Sequence, residues 1–144
     1  MSRSGALDRI DVLLGTVSDP AFTAVLRGEP MALAGSPVCA FWVAGRQVDF
    51  LTLSDVSSLT DITIRAYFRM QISRDIREDL ELDIWDAIVN MDIALRGDSD
   101  LAGNVTDMQI GEATTGFTEI GGVAFRTVEI PITLQIMGEV TITP

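Results

Sequence analysis

Between Asp75 and Leu95 apolar residues return at steps of three and four: Ile76, Leu80, Ile84, Ala87/Ile88, Met91 and Leu95. At about 3.6 residues per turn these positions fall in one stripe, which predicts an amphipathic helix whose apolar face needs cover. Ser73 is the expected N-cap, and Asp75, Glu78 and Asp79 put negative charge where the macrodipole favours it. At the other end Arg96 suits the negative terminus, and Gly97 is expected to close the helix in the left-handed conformation.

The pattern changes period on both sides of this helix. From Asp61 to Ile72 apolar Ile62, Ile64, Ala66, Phe68, Met70 and Ile72 alternate with Asp61, Thr63, Arg65, Tyr67, Arg69 and Gln71, as in a strand with one core face and one polar face. Alternation resumes from Val123 to Thr143, with Val128, Ile130, Ile132, Leu134 and Ile136 on one side. Pro131 has no amide to donate, so the strand is expected to be at an edge there, or to lie at a break between two pairings.

Weaker signals fill in the rest. Gly5 to Val17 predicts a short helix capped by Ser4 and ended by Ser18-Asp19-Pro20. Phe22 to Arg27 and Val38 to Val48 read as strands, the second with a bend at Gly45. Asp49 to Leu59, with its serines, reads as an irregular connection, Val105 to Gly111 as a short strand, and Gly111 to Gly122 as a Gly- and Thr-rich polar stretch. The expected fold is therefore α+β: a mostly antiparallel sheet with a long helix (about 75–95) and an N-terminal helix packed against it, in a single domain spanning 1–144.

Composition narrows the function. Ten arginines, no lysine and 21 acidic residues give a net charge of −11, which disfavours general binding to phosphates or anionic lipid. The absence of histidine removes the commonest general base and zinc ligand. Cys39, the single cysteine, sits among apolar neighbours like a small core residue. Mean hydropathy is +0.31, yet the longest apolar run, Met31 to Ala44, is broken by Gly35-Ser36-Pro37 and too short to span a bilayer. Asp8 and Asp11 inside the first apolar stretch are unlike a secretory signal. The apolar excess points to cover by other subunits.

Candidate chemistry is sparse, and no cofactor or metal site and no enzymatic activity are expected. The helix carboxylates Asp75, Glu78, Asp79, Glu81, Asp83 and Asp86 read as a solvated face. Arg65 and Arg69, with Tyr67 between them, are candidates for gripping a partner carboxylate, against the alternative of an intrachain ion pair. Gly111 to Gly122 could form a β-hairpin arm that docks Phe117 and Ile120 on a neighbouring subunit or tube protein, against packing back on their own domain, and the same pair of readings applies to Phe50, Leu51 and Leu53. Gly103-Asn104 reads as turn chemistry and not a ligand site, since both residue types tolerate positive φ. Gly97 to Gly103 lacks the Lys-Ser/Thr of a phosphate loop, and Trp42 and Trp85 read as core anchors.

The helix run Ile84 to Leu95, followed by Asp98, Leu101, Gly103 and Val105 in the spacing D-x-x-L-x-G-x-V and by a last apolar-alternating strand from Ala124 to Ile142, resembles the tail terminator (tail completion) proteins of tailed bacteriophages. The likeness covers roughly Asp61 to Thr143. It implies a non-enzymatic virion protein of the tail or neck, assembled in the host cytoplasm as a homo-oligomeric ring, usually a hexamer, on the last ring of the tail tube. Tail tube protein and head-side connector proteins would be its partners, with genomic DNA passing through the lumen unbound and no membrane involved. The alternatives are a head-completion or neck connector subunit, and a non-viral α+β ligand-binding domain whose apolar residues line a pocket.

Overall fold

Ser2, rather than the expected Ser4, opens the first helix, α1 (Arg3–Gly15): its hydroxyl accepts the Gly5 amide at 3.1 Å, which leaves Ser4 inside the first turn. The helix also stops earlier than expected, with Thr16 as its C-cap. The structure, a computed structural model, describes residues 2–50, 56–70 and 74–137. Ser73, the expected cap of the long helix, lies outside those residues, as do Leu51, Leu53, Gln71, Ile72 and everything after Met137.

After α1 come three strands, β1 (Ala24–Arg27), β2 (Val38–Phe50) and β3 (Val56–Arg69), then the long helix α2 (Arg74–Arg96), and then β4 (Asp107–Ile110), β5 (Thr114–Ile120) and β6 (Val123–Met137). They form one sheet in the order β1-β2-β3-β6, with β4 and β5 sharing the far side of β6. All neighbours are antiparallel except β1 and β2, so the α+β class with a mostly antiparallel sheet stands.

One stretch expected to be irregular is strand, and a second, read as polar and as a possible β-hairpin arm, is part of a hairpin. Val56 to Leu59 belongs to β3, where Ser57 and Ser58 are buried and register against both Asp49/Val48 and Met137/Ile136. Serine is common in loops because its hydroxyl competes for backbone bonds, but a strand paired on both sides leaves little for it to compete for. Gly111 to Gly122 likewise contains β5, hairpinned to β6 through Gly121 (φ 59°) and Gly122 (φ 80°). Positive φ at both residues of a two-residue loop fits the twist of the strands it joins.

Pro131 marks a break between pairings. Thr114 pairs with Glu129 on one side of it and Ile110 with Ile132 on the other, while the Pro131 carbonyl accepts the Gly111 amide at 2.7 Å. Since a strand residue's nitrogen and carbonyl point to the same neighbour, its missing donor faces this gap and not β3. On the other side of the sheet a register shift between Val43 and Gly45 bends β2 near the expected place.

The core lies on one face of the sheet. Ile64 and Ala66 of β3, Val128 and Ile130 of β6, Ile10 and Leu14 of α1, and Ile84, Ala87, Met91 and Leu95 of α2 belong to one buried cluster. The opposite face is not simply polar, as the alternation of β3 predicted: Tyr67, Ala40 and Phe125 form a second buried cluster, with Leu26, Leu33 and Ile120 against it. Nor does the core alternation extend to Met70, which is exposed.

α2 ends without a left-handed Gly97. Gly97 and Asp98 donate to the Ile93 and Leu95 carbonyls, and the chain turns over later, through positive φ at Leu101 (49°), Ala102 (57°) and Gly103 (83°). Leu101 and Val105 are buried on either side of this reversal. Asp98 accepts from the Ala102 amide at 3.1 Å and from Arg9 of α1 at 2.5 Å. Asn104 belongs to the same turn with an ordinary φ, and spends its side-chain amide on the Leu101 carbonyl at 2.8 Å.

Candidate interaction surface

α2 carries two apolar stripes. The one read from the sequence contributes Ile84, Ala87, Met91 and Leu95 to the core. Leu82, Trp85, Val89 and Ile93 also recur at three and four residues, and all are exposed, Trp85 by 69% of its surface. Trp85 is thus not a core anchor. At 3.6 residues per turn its position is displaced from Ile84 and Ala87 toward solvent, a phase difference that the size of the side chain had masked.

Acidic residues flank this outer stripe. Asn90 donates to the Ser18 and Asp19 carbonyls at the exit of α1, and on that flank Asp79, Asp83 and Asp86 stand three or four residues apart. Partial withdrawal from water, and then repulsion from Asp79 and Asp86, raise the Asp83 carboxyl above its ordinary value. Among the described residues no ion pair includes any of the three.

The opposite flank of the stripe drops into a groove between α2 and the β4–β5 edge of the sheet. One hollow of about 580 Å³ is lined by Leu82, Trp85, Thr115 and Arg126, and another of about 220 Å³ by Val89, Ile93, Ile110 and Ala113. Arg126 bridges the first: it pairs with Glu81 of α2, and its guanidinium lies 4.9 Å from the centre of the Phe117 ring. Its Nε is buried without an acceptor among the described residues. Phe117 is 70% exposed on this same side.

The other residues expected at an interface scatter. Arg65 pairs with Glu129 at 2.9 Å and stacks 5.0 Å from the Trp42 ring, so its guanidinium fork serves an intrachain pair. Tyr67, expected on an accessible polar face, is 1% exposed and meets Phe125 edge to face. Burial outweighs the Arg65 contacts and raises its phenol above the ordinary value. Arg69 is exposed at the end of β3, where its amide donates to the Ser36 hydroxyl. Ile120 packs back on its own second cluster, while Phe50 ends β2 opposite Val56. Of the expected set among the described residues, only Phe117 adjoins the α2 surface, whose stripe was missed although its spacing is legible in the sequence.

A separate cleft of about 560 Å³ opens under the start of α1, where Leu7 faces Val43, Ile62 and Ile136 of the sheet. The charged side chains lining it among the described residues are Arg3 and Arg46. Elsewhere, burial drives the Cys39 thiol strongly upward, which leaves it no thiolate for nucleophilic work. No group of metal-ligating side chains occurs among the described residues, and no described helix is long and apolar enough to cross a membrane. A scan against protein-family models finds no match to this chain, and a search of curated proteins finds none either.

Proposed function

We propose that this protein is a structural subunit that works by assembling with copies of itself, in the role of a phage tail terminator: a ring that caps the tail tube, ends its growth and joins the tail to the neck. The observation that carries the reading is the exposed stripe Leu82, Trp85, Val89 and Ile93. An exposed apolar row of this kind on a strongly acidic chain is suited to burial against another protein, and subunit contacts provide such cover. On this reading α2 packs on the sheet through its inner stripe and offers the outer one to a neighbour.

The motif behind the family resemblance also has a physical job here. Asp98 ties α2's exit to α1, Leu101 and Val105 anchor it in the core, and Gly103 takes the left-handed position. That turn sets where α2 ends, and so how its outer stripe is presented. A net charge of −11 suits a ring through which DNA slides without adhering.

The test is the tail-length distribution, by negative-stain electron microscopy, of particles made when the gene is deleted from its parent phage. Overlong headless tubes are expected. Headless tails of normal length would move the protein to the head-side connector, and normal infectious particles would remove it from tail assembly. The cleft beneath α1 favours a second reading, a ligand-binding domain, which a monomer binding a small apolar ligand there would support.

A further inference from the structure

The two margins of the sheet are finished differently. β1 is four residues long, and Arg27 ties it to Asp8 and Asp11 of α1. β5 runs for seven residues at the opposite margin and, among the described residues, pairs only with β6. Ile120 and Val123 close its two-residue hairpin, so Gly116 and Thr118 bond to β6 while Thr115, Phe117 and Glu119 turn their N–H and C=O groups outward. Proteins usually blunt such an edge with lysine, proline or a bulge. Here Glu119 is the one charge in the strand, and Phe117 at its centre is 70% exposed. Residues 138–144 fall short of this centre. They follow Met137, which lies eleven positions along β6 from the Arg126 that registers with Phe117, roughly 36 Å, whereas seven extended residues span at most about 25 Å.

We infer that β5 pairs antiparallel with β5 of a second copy across a two-fold axis at Phe117, continuing the sheet from one copy into the other. In that register Phe117 meets its own mate, and Thr115 of each strand lies opposite Glu119 of the other, where its hydroxyl donates to the carboxylate. The two Glu119 carboxylates end up four residues apart, about 14 Å, which physiological salt largely screens. The edge is thus complementary to itself.

Both copies carry α2 on the same side of the joined sheet. Leu82 and Trp85 line a hollow with Thr115 and Arg126, so they stand beside the joint. α2 packs on β6, and three strand spacings, about 14 Å, separate β6 from its mate. Helices in direct contact lie only about 8–10 Å apart, so large side chains have room between the two, and Phe117, Trp85 and Leu82 supply them. These three expose about 400 Å² per copy, half of the roughly 800 Å² a stable interface takes from each partner, and the strand edge adds to it. A two-fold contact closes at two copies. The pairing therefore goes beyond the proposed ring and does not depend on it, since a ring needs a contact of its own.

Sedimentation of the full chain, with disulfide trapping, tests the pairing. Wild type is expected to be dimeric. Phe117→Glu sets two carboxylates against each other at the axis and should weaken the dimer roughly thirtyfold or more, as for a central aromatic contact, while Phe117→Tyr should still pair. Phe117 is exposed, so circular dichroism is expected to stay at the wild-type spectrum. Register is read by mixing Thr115→Cys with Glu119→Cys: the two positions face each other with Cα atoms about 5.5 Å apart, within disulfide range. The mixture should cross-link on oxidation, and either variant alone, with its cysteines about 14 Å apart, should not. Cys39 is buried and stays out of the exchange.

A wild-type chain monomeric at millimolar concentration would overturn the pairing. So would oligomers that Phe117→Glu leaves intact, or a cysteine mixture that cross-links no faster than its separate components. The tail-length measurement decides the ring reading in every case, so the two can fail separately.

Discussion

Arg9 of α1 holds Asp98, two residues past the end of α2, through a 2.5 Å contact that spans 89 positions of sequence. This contact, then the Ala102 amide, keeps the Asp98 carboxyl below its ordinary value. A carboxylate depressed in the folded state adds stability above its unfolded pKa, about 3.9, and loses it as pH falls through the lower folded value. Asp98→Asn is therefore expected to cost about 1 kcal/mol at pH 7, a modest figure because Arg9 is partly open to water. The gap from wild type should narrow as pH falls below that unfolded value and close once pH passes the lower folded one, as read from urea midpoints across pH.

Removing Tyr67 tests whether the second face of the sheet is a true core. Tyr67 and Phe125 meet with ring centres 6.2 Å apart at 88°. Tyr67→Ala should cost about 3–5 kcal/mol in chemical denaturation, as for other buried aromatic truncations. A cost below about 1 kcal/mol would mean that the face is merely solvated surface.

The two stripes of α2 should separate cleanly in the same assay on monomeric protein. Met91→Ala or Leu95→Ala opens a core cavity and is expected to cost about 2–5 kcal/mol. Leu82→Ala or Ile93→Ala, on the outer stripe, should stay within about 0.5 kcal/mol of wild type. Comparable losses on both sides would show that the outer stripe is covered within the monomer.

At Gly103, with φ of 83°, alanine is expected to lose about 1–2 kcal/mol because its Cβ crowds the following carbonyl. Gly111→Ala tests the break in the sheet: a Cβ there would fall 2.8 Å from Pro131 Cγ and 3.1 Å from the Pro131 carbonyl oxygen. It should also destabilise, and proteolysis is expected to speed up between β4 and β5, where the contact is forced apart.

Strong periodicity made α2, the middle of β3 and the start of β6 legible in the sequence, because a buried stripe or alternating face leaves its mark on every turn or second residue. Pro131 was legible for a different reason, since a residue without an amide has few places in a sheet. The start of β3 was hidden by Ser57 and Ser58, whose loop preference yields to pairing from both sides. β5 was legible only as a possible hairpin arm, because its glycines and threonines carry no alternation that names a partner; the pairing with β6 gives it a face. At the candidate site, residue type alone places Trp85 in the core, whereas its phase on the helix decides its place. Alternation places Tyr67 on a polar face, because it takes no account of a second cluster there.

β6 registers with β3, β4 and β5, and it comes after all three in sequence. On a ribosome, then, the sheet has no means of closing until its last partner emerges. β3 must wait through the synthesis of α2, β4 and β5 with its best pairing edge empty, and the nucleus of folding has to reach across that distance. High contact order of this kind slows folding and lengthens the time for which an apolar strand is open to the wrong partner. On the proposed ring assembly, keeping nascent copies apart is as much a requirement of the fold as bringing mature ones together.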